Sequence, residues 1–185
     1  ISVSLEETKR MLKIIEDLLL LTKMNYQPDV LKFERIDLTQ FIRIIYEQAK
    51  ILSSQKKITV NADIPEEAGM VSADELHLRR LFLNLIDNAI KFTPDNGSIG
   101  ITLKYENQKA IVSIVDTGIG IEEENMPKLF EKFFRIEGKT KDNSPSSGLG
   151  LSIAQSIAEL HGGEISVTSR AGQGSNFSVS IPLLN

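Results

Sequence analysis

The feature that most constrains the fold is an alternation of period two that recurs along the chain. Ile58, Val60, Ala62 and Ile64 alternate with polar residues, and Ile99, Ile101, Leu103 and Tyr105 alternate with Gly100, Thr102 and Lys104. Near the end, Ile165 and Val167, then Phe177, Val179 and Ile181, repeat the pattern. Successive side chains of a strand point to opposite faces, so each of these segments has one apolar face and one wet face. Residues 109–115 are nearly all apolar and read as a more central strand. Glu106-Asn107-Gln108 and Ala171-Gly172-Gln173-Gly174 read as hairpin turns. A sheet with one wet face takes helices on its other face only.

Three main helices are available for that face. One spans 37–56, with Asp37 and Gln40 at its start and Phe41, Ile44, Ile45 and Ala49 inside. A second is opened by Ser72 and Glu75 at capping-box spacing and stops before Pro94. A third runs from about Gly148 to Leu160, while Pro65–Met70 reads as a loop and 122–136 as short helical pieces around Pro127. The expected fold is α/β (α+β): a two-layer sandwich of a mixed, mainly antiparallel sheet of about five strands with three helices on one face. Before it, residues 4–26 read as one long helix, with a Ser4–Glu7 capping box. Its apolar residues form a stripe through Leu5, Leu12, Ile15, Leu19 and Tyr26 and a second through Met11, Ile14, Leu18 and Leu21. So wide an apolar face suits a helix bundle. The division expected is 1–27 for this helix, 28–36 for a linker and 37–185 for the sandwich.

Composition removes several function classes. The net charge of −4 argues against a nucleic-acid module led by phosphate contacts. No cysteine means no disulfide scaffold, thiolate metal site or Cys nucleophile. Only His77 and His161 are present, which excludes a histidine-rich metal site. His161, before two glycines, reads as a helix C-cap, and His77 as exposed. No uncharged apolar run approaches the ~18 residues of a membrane span. With no initiator Met and a helical pattern from its first residues, the sequence reads as part of a longer protein.

Chemistry concentrates in three places. At 100° per residue, Arg80, Asn84, Asp87, Asn88 and Lys91 fall in one arc of the helix over 74–93, opposite Leu78, Leu81, Phe82, Leu85, Ile86 and Ala89. Two carboxamides and an ammonium on one face suit a hydrated divalent cation with a phosphate chain. Asp116 follows the apolar strand and leads into Thr117-Gly118-Ile119-Gly120, a carboxylate beside sharply bent backbone. Ser147-Gly148-Leu149-Gly150 opens a helix, where exposed N–H groups suit phosphate. Neither glycine pair fits the P-loop or the dinucleotide fingerprint.

In this order the segments resemble the ATP-binding domain of sensor histidine kinases, part of the wider group with DNA gyrase, the mismatch-repair ATPases and the heat-shock chaperone ATPase. The resemblance covers about residues 37–185. It is carried by Leu83-Asn84-Leu85-Ile86-Asp87-Asn88-Ala89-Ile90-Lys91-Phe92-Thr93 (the N box) and Asp116-Thr117-Gly118-Ile119-Gly120 (the first glycine box). Leu129-Phe130-Glu131-Lys132-Phe133-Phe134-Arg135 (the F box) and Ser147-Gly148-Leu149-Gly150-Leu151 (the second glycine box) complete it. It implies a Bergerat-type fold that binds ATP and Mg²⁺.

Residue by residue, the resemblance implies Asn88 as the Mg²⁺ ligand, with Asn84 and Lys91 at the phosphates and Arg135 as a further candidate phosphate contact. Phe92 would line the pocket and Asp116 would accept from the adenine amino group. Gly118, Gly120 and Ile121 would shape the pocket wall. Residues 136–147 would be a lid with Gly148, Leu149 and Gly150 at its hinge near the phosphates, Ser147 joining them in binding the nucleotide, and Phe130, Phe133 and Phe134 packing its base. Ser146 departs from the glycine that many relatives carry. Position 84 is Asn where hydrolysing relatives carry a Glu base, which favours holding ATP for an acceptor over fast hydrolysis. The acceptor histidine would lie on a dimerisation hairpin whose second helix is 4–26, upstream of Ile1. The implied partners are ATP or ADP, that segment and a response regulator, with no nucleic acid. The implied parent is a homodimer that acts in the cytoplasm, free or anchored to a membrane. The alternatives are a related ATPase, a serine kinase of the same fold, or a nucleotide-binding module without catalysis.

Overall fold

The computed structural model describes residues 2–26, 31–136 and 147–184. Helix α1 (Ser2–Tyr26) precedes strand β1 (Glu34–Asp37) and helix α2 (Leu38–Ser53). Strands β2 (Thr59–Asp63) and β3 (Met70–Ala73), helix α3 (Glu75–Phe92), and strands β4 (Ser98–Glu106) and β5 (Lys109–Asp116) follow. Helix α4 (Gly150–Leu160) and strands β6 (Glu164–Ser169) and β7 (Ser175–Pro182) complete the chain. Among the described residues no helix is long and apolar enough to cross a membrane.

Five strands form one sheet in the order β2-β4-β5-β7-β6. Among the described residues only β2 and β4 run parallel. The apolar β5 lies between β4 and β7, as its composition requires. Ile99, Ile101 and Leu103 of β4 and Phe177, Val179 and Ile181 of β7 are buried, and the residues between them are half-buried or exposed. The buried face meets α2, α3 and α4 over one core, in which Phe82, Ile42, Ile45, Leu78 and Leu85 are fully enclosed. The two-layer sandwich with helices on one face is the architecture found. The Asn107-Gln108 turn has φ of 51° and 61°, the left-handed pair that suits a tight hairpin.

Several local expectations are corrected. A second sheet of two strands pairs β1 with β3, from Glu34↔Ala73 to Asp37↔Met70. Part of the expected linker and the end of the expected 65–70 loop are therefore strand. Four-residue strands are too short to show a periodicity of their own. Ser72 sits in β3, so it does not cap α3; Asp74 does, accepting from the His77 N–H at 3.0 Å. Asp37 caps α2 by accepting from the Gln40 N–H at 3.3 Å. Helix α1 starts at Ser2, upstream of the Ser4–Glu7 box.

Both histidines belong to one buried cluster. His161 closes α4, as its position before two glycines suggests, and is 6% exposed. Its Nε2 accepts from the Asp74 N–H at 3.0 Å, so Nδ1 carries the proton and donates to the Ile157 carbonyl at 2.7 Å. His77 is not exposed: its Nδ1 lies 2.8 Å from Asp74 Oδ1, and its side chain is 12% accessible. Asp74 Oδ2 accepts from the Lys32 N–H at 2.8 Å, fixing the segment that enters β1.

Candidate functional site

The polar arc of α3 opens onto a cavity of about 440 Å³. Asn84, Asn88, Lys91 and Phe92 line it from this helix. They face it because Leu78, Leu81, Phe82, Leu85 and Ile86 turn the opposite side of α3 into the core. Asp116, Gly120 and Ile121 line it from the segment after β5, Arg135 from the F box, and Ser147, Gly148 and Gly150 from the approach to α4. Segments far apart in sequence are thus gathered around one space.

Two fixed contacts set the distance between its parts. The Ile119 N–H donates to the Phe92 carbonyl at 3.2 Å, tying the first glycine box to the last turn of α3. Asn84 Nδ2 donates to the Gly150 carbonyl at 3.1 Å, tying the second glycine box two turns earlier. At 1.5 Å per residue, the eight steps from Asn84 to Phe92 separate the two boxes by about 12 Å along the helix. This matches an elongated ligand with chemically different ends.

Asp116 is 5% exposed, and burial raises its pKa above the ordinary carboxylate value, partly offset by N–H donation from Gly118 and Ser175. The Gly118 N–H reaches Asp116 Oδ1 at 2.8 Å. At Gly118 a Cβ would stand 2.6 Å from both that oxygen and the Phe92 carbonyl oxygen, so only glycine allows this approach. Burial lowers the Lys91 pKa, and the nearby cations Arg135 and Lys56 lower it further. Three positive groups at one site attract a polyanion. Lys56 Nζ also donates to the Ile90 and Lys91 carbonyls at 3.0 Å, capping the C-terminus of α3.

Three expected site residues lie outside the lining. Gly118 is enclosed behind Asp116. Leu149 is fully buried in the core, where its carbonyl accepts from Ile153 N–H and Ser152 Oγ. Phe133 is 56% exposed with φ of 67°, and its contribution is a backbone N–H to the Gly148 carbonyl at 2.9 Å. Of the expected lid and its lead-in, residues 137–146, Ser146 included, lie outside the described residues. Other lining residues were not expected. Ser175 and Phe177 of β7 enter because β7 pairs with β5, with Asp116 opposite Ser175. Asp87 has the arc position to announce it, and burial raises its pKa against the opposing pull of Lys13. Lys13 and Asp17 reach the cavity from α1, which only tertiary docking reveals.

No cluster of His, Asp and Glu that could cage a metal occurs among the described residues. Asn84 and Asn88 offer amide oxygens. Mg²⁺ uses few protein ligands and completes its shell with phosphate and water, so this donor set fits a cation arriving with a polyphosphate.

The profile of the Histidine kinase-, DNA gyrase B-, and HSP90-like ATPase family matches residues 73–185. The adaptive-response sensory kinase SasA of Crocosphaera subtropica is 38% identical over 173 residues, which cover 92% of this chain and 44% of that protein. Full-length ShkA, solved in complex with AMPPNP, superimposes with a TM-score of 0.84 at 25% identity, covering 99% of this chain and 38% of that one. Histidine kinase ThkA, solved in complex with the response regulator protein TrrA, superimposes with a TM-score of 0.76 at 28% identity, covering 100% of this chain and 50% of that one. The chain spans less than half the length of the curated relatives it matches. The chain belongs to the histidine kinase-, DNA gyrase B- and HSP90-like ATPase family, as an ATP-binding catalytic domain of the sensor histidine kinase kind.

Proposed function

We propose that this chain binds Mg-ATP in the cavity beside α3 and transfers the γ-phosphoryl group to a histidine on a dimerisation segment outside the chain. The observation that carries the reading is the spacing along α3: the carboxylate loop is fixed at Phe92 and the glycine turn at Asn84, with Asn88 and Lys91 between them. Asp116 accepts from the adenine amino group, and Phe92, Ile121 and Phe177 enclose the ring. Lys91 and Arg135 neutralise the phosphate chain, whose oxygens meet the N–H groups around Gly148 and Gly150. Asn88 would hold Mg²⁺ through its amide oxygen, and a bound ion would supply charge neutralisation at the phosphates. The protein's part is positioning and electrostatics.

Position 84 supports transfer over hydrolysis. Its amide donates to Gly150 and supplies no base for water. Neither histidine of the chain suits the role of acceptor. His161 is buried with both ring nitrogens engaged, and His77 is paired with Asp74. In the whole protein, α1 serves as the second helix of the dimerisation hairpin, consistent with exposed Leu12, Ile15 and Leu19. The phosphoryl group passes on to a response regulator, in the cytoplasm where ATP is available.

The test is transfer in trans. Mixing the chain with γ-labelled Mg-ATP and a separately purified acceptor hairpin should label the hairpin. Asn88→Ala should reduce labelling by more than about tenfold while leaving the fold intact. Rapid ATP hydrolysis with no transfer would instead support the ATPase alternative.

A further inference from the structure

Helix α1 reaches the cavity although none of the family's boxes lies on it. Its Ile14, Asp17, Leu21 and Met24 recur at intervals of three and four and face the sandwich. Asp17, 4% exposed, is the polar member of that face. Its Oδ1 pairs with the Arg80 guanidinium on α3, and its Oδ2 accepts from Ser147 Oγ at 3.3 Å. Ser147 Oγ itself accepts from the Leu149 N–H at 3.2 Å, across the turn where Gly148 holds φ of 70°. One turn before Asp17, Lys13 lines the cavity and acts on Asp87. A carboxylate is kept in a buried position when charged and polar donors surround it. Here the donors are the hydroxyl of the second glycine box and an arginine of the N-box helix. A hydroxyl and a guanidinium are also what a terminal phosphate would seek.

We propose that Asp17 discriminates between nucleotides: as an internal anion it engages Ser147 and Arg80, so that docking of α1 and binding of the terminal phosphate of a triphosphate oppose each other. A diphosphate, lacking that group, leaves the docked helix in place. The inference rests on the nucleotide reading above and adds to it a coupling between the cavity and α1. Two anions sharing donors in a partly desolvated mouth repel each other. Coupling between sites is reciprocal, so a docked α1 weakens ATP and bound ATP loosens α1. The exposed face of α1 is then linked to the phosphate state of the nucleotide through a single side chain.

Two measurements on the full chain test this. The first is calorimetric titration with Mg-ATP and with Mg-ADP, for the unmodified protein and for Asp17→Asn, which keeps the shape and removes the charge. ATP affinity should rise about tenfold and ADP affinity change less than about twofold. Equal changes for both nucleotides, or weaker ATP binding, would overturn the proposal, the latter making Asp17 a support of the cation or of the fold. The second is amide hydrogen exchange over residues 11–24 of the unmodified chain, which remains decisive if the variant does not fold. Saturating ATP should speed exchange there and ADP leave it as in the free protein; protection of α1 by ATP would refute the coupling. If both nucleotides bind but Asp17→Asn leaves their ratio unchanged, the inference fails and the nucleotide reading stands. If neither binds, both fail.

Discussion

Replacing His161 with alanine should remove about 2–4 kcal/mol of folding stability. The imidazole is the acceptor for the Asp74 N–H at 3.0 Å and lies with its ring centroid 5.1 Å from that of Phe33. Alanine leaves a buried N–H without an acceptor, worth about 1–3 kcal/mol, and loses a ring contact worth about 1 kcal/mol. The same bond makes the stability pH-dependent, because only the neutral ring can accept. Burial holds the His161 pKa below 6.5, outweighing the Ile157 carbonyl and the negative charge of the Asp74 carboxylate, which favour the charged ring. On acidification the unfolded chain therefore takes up this proton first. The contribution is complete above about pH 6.5 and is lost as pH falls toward the depressed folded-state value. Burial pushes the Asp74 carboxyl up, but N–H donation from His77 and Lys32 and the His77 ring outweigh it and hold it below 3.8. Its loss of stability falls at lower pH. Urea denaturation followed by circular dichroism at pH 7.5 and 5.5 isolates the effect, since Asp74 and His77 remain in both proteins. The unmodified chain should lose more stability on acidification than His161→Ala. A variant within about 0.5 kcal/mol of the unmodified protein, or one with the same pH slope, would refute this role for His161.

Phe82, fully buried with its ring centroid 6.1 Å from that of Phe41, should cost about 3–5 kcal/mol as alanine in the same denaturation assay. Gly118→Ala forces a Cβ to within 2.6 Å of the Phe92 carbonyl oxygen, so both its melting temperature and its nucleotide affinity should fall. Lys56→Met removes the cation bonded to the Ile90 and Lys91 carbonyls and should cost about 1–3 kcal/mol, measurable by thermal denaturation. It also removes a positive neighbour of Lys91, so Lys91 should hold its proton to higher pH in an NMR titration.

The sheet was legible because Ile99, Ile101 and Leu103, or Phe177, Val179 and Ile181, carry their burial in a period-two pattern that one wet face preserves. Asn84, Asn88 and Lys91 were legible as one face of a helix. Neither pattern reveals β1 and β3, whose four-residue length leaves no period to detect. The Ser72–Glu75 spacing misled because Asp74, inside it, offers a carboxylate for the same task. Leu149 has a position in the motif but a side chain that the core claims, so its identity serves packing. Ser175 and Phe177 enter the cavity through strand pairing, and Lys13 and Asp17 through docking of a distant helix. Contacts of that kind are set by tertiary structure and leave no local signature.

Calorimetric titration with Mg-ATP, comparing the unmodified chain with Asp116→Asn, decides whether the cavity beside α3 is the nucleotide site. Burial already raises the Asp116 pKa, so an uncharged amide there should fold without loss of stability. The unmodified chain should show saturable one-site binding, and the variant a loss of at least about tenfold, as expected for a hydrogen bond to a charged acceptor. No binding to the unmodified chain, or equal binding by a folded variant, would contradict that assignment of the site.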